Sequence, residues 1–234
     1  MEETRRRTLY GRRRGKKLRA GQQSLLDTLL PRLVLTLPEA SRKIDLAQAF
    51  GGVVPPQGIW LEVGFGAGEH LVWQAAQHAE VGLIGCEPYL NGVAKCLAHV
   101  ERAGVSNVRL FTDDARLLMA ALPARSLSRV FVLFPDPWPK ARHHKRRFVQ
   151  RETLDQLAEL MVPGAELRLA TDDPGYLPWM VEHACRHPAF EWLAERPADW
   201  RQRPADWPAT RYEQKEIAGR PIFLRLRRRQ DVSV

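Results

Sequence analysis

The segment Ile59–Ala79 reads IWLEVGFGAGEHLVWQAAQHA. Its first five residues are apolar and β-rich around one carboxylate, which predicts a buried strand. Glycines follow at alternate positions, Gly64, Gly66 and Gly68, and then a stretch with helical apolar spacing. A strand, a glycine turn and a helix open a βαβ crossover. Outward from this unit the alternation recurs. VGLIGCE (81–87), NVRLF (107–111), RVFVLF (129–134) and AELRLAT (165–171) predict further strands. GVAKCLAHVERAG (92–104), DARLLMAALP (114–123) and RETLDQLAELM (151–161) predict the helices between them. GYLPWMVEHACRH (175–187) predicts a last helix, ahead of an antiparallel C-terminal strand near PIFLRLR (221–227). The reading is an α/β fold with a mostly parallel twisted sheet and helices on both faces.

The bulk properties agree with one such domain. The chain has 234 residues, 44% of them hydrophobic, enough for one sizeable core. No apolar run approaches the roughly 18 residues of a membrane span. The polar start, MEETRRRTLYGRRRGKK, predicts no secretory signal. Cys86, Cys96 and Cys185 are odd in number and lack CxxC spacing. They predict neither a disulfide framework nor a metal site, and they suit the reducing cytoplasm.

The net charge of +9 is unevenly spread. Residues 1–19 carry nine Lys/Arg against two Glu, residues 137–151 carry six and no acid, and residues 220–229 carry five Arg and no acid. The remaining chain is net acidic. Three cationic segments on an acidic body point to a polyanionic partner, with nucleic acid ahead of an anionic membrane because no segment shows an amphipathic helix pattern. The pentapeptide RPADW occurs at 196–200 and again at 203–207. One copy at seven-residue spacing is no solenoid, and Trp200 and Trp207 either cap the core or stack on bases.

The glycine loop narrows the ligand. A dinucleotide fingerprint requires GxGxxG, but the position after Gly68 is Glu69. Glu62 stands two residues before Gly64. Carboxylates at both sides of the loop disfavour a pyrophosphate and favour a cationic ligand. S-adenosylmethionine carries a sulfonium and an ammonium and no phosphate. Glu87, at the end of the second strand, suits the two ribose hydroxyls. Asp114, followed by Ala115 just beyond the third strand, suits the adenine amino group. Ligands of open α/β sheets bind at these carboxyl ends.

The fourth strand ends in FPDPWPKARHHKRR (134–147). Different methyl acceptors need different residues there. Attack through a pyrimidine carbon needs a cysteine nucleophile, and none of the three cysteines is suitably placed. A sugar hydroxyl needs a base near the methyl, and Lys140 lies beyond two prolines. A guanine N7 needs no proton removed, only alignment. Asp136 can accept from the N1–H and N2–H donors of guanine and favour the positive charge that develops on the ring. Pro135, Pro137 and Pro139 stiffen the turn. DPWP is also related to turns that serve exocyclic amines, so that acceptor stays open, as does an RNA-binding module that keeps a cofactor fold without chemistry. Trp138 either packs or stacks on a base.

These residues, with GCEP (85–88), DDA (113–115), LATDD (169–173) and TRYEQK (210–215), closely resemble the bacterial tRNA (guanine-N7)-methyltransferase family, from about Arg14 to Arg227. The resemblance implies a Rossmann-like class I methyltransferase fold and methylation of a guanine in the tRNA variable loop. It implies donor contacts by Glu62, Glu87 and Asp114, with Asp136 as the central acid, also near the cofactor. It implies substrate contacts by Lys140, Asp172, Thr210, Arg211, Tyr212 and Glu213. It implies RNA contacts by Arg142, His143, His144, Lys145, Arg146 and Arg147. Pro139, His144 and the loop after Glu213 vary the family pattern, away from the donor contacts. The expected organisation is a basic tail over residues 1–20, disordered when free, and one methyltransferase domain over 21–234. A monomer is expected, with a homodimer as the alternative, and no metal.

Overall fold

A computed structural model of the chain describes residues 11–39, 42–209, 213 and 218–231. Three short helices come first: α1 (Ala20–Thr28), α2 (Leu30–Leu33) and α3 (Leu46–Ala49). The βα alternation then runs β1 (Ile59–Val63), α4 (Glu69–Gln77), β2 (Gly82–Cys86), α5 (Leu90–Ala103), β3 (Val108–Phe111), α6 (Ala115–Ala121) and β4 (Leu127–Leu133). A 3₁₀ segment, Ala141–Arg146, separates β4 from α7 (Arg151–Leu160) and β5 (Met161–Thr171). The helix α8 (Leu177–Met180) has Pro178 in its first turn and runs into a π turn over Val181–Cys185. A short strand β6 (Phe190–Trp192), the helix α9 (Ala198–Arg201) and β7 (Ile222–Arg228) complete the chain.

The strands form one sheet in the order β3-β2-β1-β4-β5-β7-β6. Pairing is parallel from β3 to β5, and β7 runs antiparallel to both β5 and β6. The five parallel strands alternating with helices, and the reversed last long strand, are as the hydrophobic pattern predicts. The N-terminal helices and β6 are absent from that reading: α2 and α3 span four residues each and β6 three, too short to show a period, and the nine residues of α1 bury only Leu26, so they carry no clear apolar stripe. Residues 34–35 cover the β3 edge, with Leu35 N donating to Leu110 O at 2.8 Å.

The side-chain period of two assigns each strand residue to one of two cores. Val130 and Val132 of β4 face the core built with α6, α7 and α8. Phe131 and Leu133 face the core built with α4 and α5. Glu62 occupies the α4 face of β1, so the fold places its carboxylate under that helix. The same face carries a polar cluster farther from the strand ends. Arg168 is 2% exposed and donates to Glu166 Oε2 and to Asp206 Oδ2, each at 2.8 Å. Both tryptophans of the repeated pentapeptide pack: Trp207 is buried in the α4-side core, and Trp200 lies against the other.

The sheet order reverses between β1 and β4. Chain connections lead away from that point in opposite directions, so a cleft opens above the carboxyl ends of these two strands.

Candidate active site

The glycine loop folds tightly over the ends of β1 and β2. Gly64 N and Phe65 N both donate to Cys86 O, at 2.8 and 3.3 Å. Gly68 has φ +79°, and a Cβ there would stand 2.4 Å from Cys96 Sγ in α5, so the position excludes any side chain. Gly66 N donates to Glu87 Oε2 and Tyr89 N to Glu87 Oε1, each at 2.9 Å. Both oxygens of Glu87 are therefore oriented by backbone and keep lone pairs for a ligand. Burial pushes the Glu87 pKa up; the two N–H bonds oppose this, and the nearby charges of Asp136 and Glu62 add to it.

Asp114 caps α6 by accepting from Arg116 N at 3.0 Å. Its neighbour Asp113 accepts from Asp114 N at 2.8 Å and pairs with Arg13 at 2.6 Å. Residues 13–16 lie along this wall, with Leu90 N donating to Arg13 O and Asn91 Nδ2 to Lys16 O. Glu62 is 3% exposed, and its Oε2 lies 2.7 Å from His70 Nδ1 in the first turn of α4.

The turn after β4 is held in strained backbone. Phe134 and Trp138 have φ of +50° and +44°, a region that costs a non-glycine residue roughly 1–2 kcal/mol. Phe134 N still bonds Ala170 O at 2.8 Å, which anchors the start of the turn to β5. Arg147 anchors its middle: Nε donates to Pro137 O at 2.8 Å, and the guanidinium lies over the rings of Tyr176 and Trp179. Asp136 projects at the cleft rim. It is exposed to solvent, and partial desolvation by its surroundings raises its pKa.

One cleft of about 370 Å³ gathers Glu62, Gly64, Gly66, Glu87, Asp114, Ala115 and Asp136. Gly68 sits behind it as packing. The sequence reading missed His70, Asp113, Arg116 and Phe148 in the same wall. The signal for His70 was its place one residue inside the helix that starts at the loop. Arg146, expected at RNA, lines the cleft with its guanidinium 5.0 Å from the Trp138 ring centroid, and Trp138 lines it too. Lys140, Arg142 and Lys145 are exposed beside the cleft, and His143 and His144 are partly so. Arg147 departs from the expectation of an RNA contact: its 3% exposed side chain points inward, because the turn carbonyl and two aromatic faces satisfy it there. Asp172 lies at the end of β5 outside the cleft wall and accepts from Ala218 N at 3.3 Å. Glu213 pairs with Arg203 at 3.0 Å. Thr210, Arg211 and Tyr212 lie outside the described residues.

The charges decide what the cleft can hold. Six acids line it, Glu62, Glu69, Glu87, Asp113, Asp114 and Asp136, against Arg116 and Arg146. Within the glycine loop Gly66 N is committed to Glu87, and the first turn of α4, where a pyrophosphate would sit, carries the acid Glu69. A cation relieves the buried carboxylates, and a nucleoside without phosphate fits the oriented oxygens of Glu87. The donor set thus fits a sulfonium nucleoside and not a dinucleotide. Among the described residues no group of three or more His, Cys, Asp or Glu is arranged to hold a metal ion, and no helix is long and apolar enough to cross a membrane.

Known proteins agree with this geometry. A family model described as "Putative methyltransferase" matches residues 56–223. The tRNA (guanine-N(7)-)-methyltransferase of Rhodospirillum rubrum is 53% identical over 226 residues, covering 94% of this chain and 87% of that protein. That of Paramagnetospirillum magneticum is 53% identical over 222 residues, covering 94% and 92%. A solved 16S rRNA (adenine(1408)-N(1))-methyltransferase from Catenulisporales acidiphilia superposes with a TM-score of 0.53 at 17% identity, over 77% of this chain and 89% of that one, and shares the fold. With half of its residues identical over nearly its whole length to these relatives, and with their methyltransferase fold, the chain belongs to the tRNA (guanine-N7)-methyltransferase family.

Proposed function

We propose that the protein transfers a methyl group from S-adenosylmethionine to N7 of a guanine in the tRNA variable loop, forming 7-methylguanosine. The observation that carries this is a single acid-lined cleft at the switch point of the sheet, with Asp136 on its rim and a basic 3₁₀ segment directly after it. S-adenosylmethionine supplies the electrophilic methyl. Glu87 would hold the ribose hydroxyls with the lone pairs left by its two backbone donors. Asp114, fixed as the α6 cap beside Ala115, would accept from the adenine amino group. Glu62 would face the ammonium from beneath the glycine loop.

The acceptor needs no base, since N7 is a neutral in-plane lone pair. Catalysis then rests on alignment, which supplies roughly 7–11 kcal/mol when two reactants are held in line. Asp136 would grip the N1–H and N2–H edge of the guanine and stabilise the positive charge appearing on the purine. Its turn is strained and anchored at its start by β5 and at its middle by Arg147, so the carboxylate does not drift. Lys140, Arg142, His143, His144 and Lys145 would take the flanking phosphates, which position the RNA while the carboxylate selects the base. Arg147 acts indirectly, through the carbonyl of Pro137. Asp172, at the end of β5, would meet the substrate, and the family resemblance assigns Thr210, Arg211, Tyr212 and Glu213 to it as well. The reaction belongs to the cytoplasm, where its RNA substrate is.

Incubation with methyl-labelled S-adenosylmethionine and unmodified tRNA should yield 7-methylguanosine in the variable loop. Methyl on an exocyclic amine would overturn the N7 assignment. Asp136→Ala should bind tRNA within about threefold of the native protein while turnover falls by about 10²–10³-fold. Equal loss of both would make Asp136 a structural residue instead.

A further inference from the structure

The buried face of α4 carries an arrangement that the reaction above leaves unused. His70 is 2% exposed and Gln74 is fully buried. They stand four residues apart on one helix face, one turn from each other. Gln74 Nε2 lies 3.2 Å from His70 Nε2 and 2.9 Å from the carbonyl oxygen of Asp206. Gln74 Oε1 finds no partner among the described residues. The Asp206 carbonyl can only accept, so it holds the amide nitrogen on its side. Turning the amide over would set two acceptors against each other. With both N–H groups of Gln74 facing acceptors, His70 Nε2 must carry its lone pair. The ring proton is then on Nδ1, where it is donated to Glu62 at 2.7 Å.

We propose that Gln74, set by the Asp206 carbonyl, locks His70 as the neutral Nδ1–H tautomer, and that this relay keeps Glu62 a full, oriented carboxylate for the cationic methyl donor. His70 and Gln74 are positioning residues. A protonated imidazole would neutralise Glu62, and the opposite tautomer would aim a lone pair at it. The relay also gives the second RPADW pentapeptide a use. Its Asp206 side chain is tied to Arg168, and its Trp207 ring lies 5.6 Å from that of His70, so the loop presents the carbonyl at a fixed place. The donor part of this inference rests on the function proposed above, whereas the tautomer part does not.

Long-range proton–nitrogen correlation spectra of the ligand-free protein, with His70→Asn used for assignment, should show His70 as neutral Nδ1–H near pH 7. A neutral Nε2–H form or an imidazolium pattern would overturn the relay. His70→Leu and the near-isosteric Gln74→Met should raise the KM for S-adenosylmethionine about 10–100-fold and leave kcat within about twofold, the scale of losing a charge-assisted hydrogen bond. His70→Asn, whose amide nitrogen can replace Nδ1–H, should recover most of that loss. An unchanged KM in both apolar variants, or a loss that Asn does not recover while melting temperatures stay native, would sink the proposal. Native protein that shows the Nδ1–H form but binds no S-adenosylmethionine would count against the donor and leave the tautomer relay standing.

Discussion

Glu87 and Asp136 both line the cleft. Both have pKa values raised by burial, so in the free protein their charged forms are disfavoured relative to the unfolded chain. The sign follows from linkage. Each costs stability at neutral pH, and that cost is relieved as pH falls through its raised folded pKa. A bound cation reverses the balance by favouring the charged form. Affinity for S-adenosylmethionine should therefore rise as pH increases through the raised pKa values and level off above them, with proton release on binding. Calorimetry between about pH 5 and 8 in buffers of different ionisation enthalpy measures both quantities. Glu87→Gln should flatten the profile as well as weaken binding. A flat profile in the native protein would mean that these acids do not face the donor. The thiols follow the same rule with another outcome: burial raises Cys185 to about 12, which leaves it an inert packing group at neutral pH.

At the scale of elements, the site is a contact between the glycine loop and α5. Gly92 lies in the first turn of α5, and a Cβ there would stand 2.3 Å from Gly66 O, a backbone atom that cannot swing aside. Helix propensity alone makes Gly→Ala favourable by about 1 kcal/mol. Gly92→Ala is expected to do the reverse, lowering stability by about 1–3 kcal/mol as overpacking does, and to weaken donor binding because the Gly66–Glu87 bond is displaced. Thermal unfolding reads the first effect and calorimetry the second; a stabilised variant with native affinity would refute the close approach of the two backbones. The β4 turn shows the complementary case. Strain at Phe134 and Trp138 persists because β5 grips one end and Arg147 the middle. A run of cations in sequence cannot reveal that one of them is structural, since only the packing of Tyr176 and Trp179 turns Arg147 inward.

For the whole molecule, charge is divided between two tasks on neighbouring surfaces. The cleft is lined by six acids, while residues 11–17 and the 3₁₀ segment beside it are basic and largely exposed. Arg13 links them through Asp113. Arg12, Arg14 and Lys17 are exposed. Replacing these three with Gln should weaken tRNA binding and lower the slope of log K against log salt by about 0.7–0.9 for each phosphate that is no longer neutralised. Donor affinity should stay native, because Arg13 is retained. Filter binding across a salt series tests this, and an unchanged slope would remove the N-terminal segment from the tRNA interface.

Read alone, the chain determined the alternation of strands and helices, the reversed last long strand, the acids at successive strand ends and the aspartate turn. Each of these is a local signal, carried by a period, a glycine spacing or a charge within a few residues. The tertiary structure decided which of those residues share a cleft, that Gly68 is packing while Arg146 and Trp138 are lining, and that Arg147 is buried. It also brought Asp206 to Gln74, 132 residues away in the chain. Such outcomes depend on which side chains from distant segments satisfy one another once water is excluded, and no local pattern contains that information.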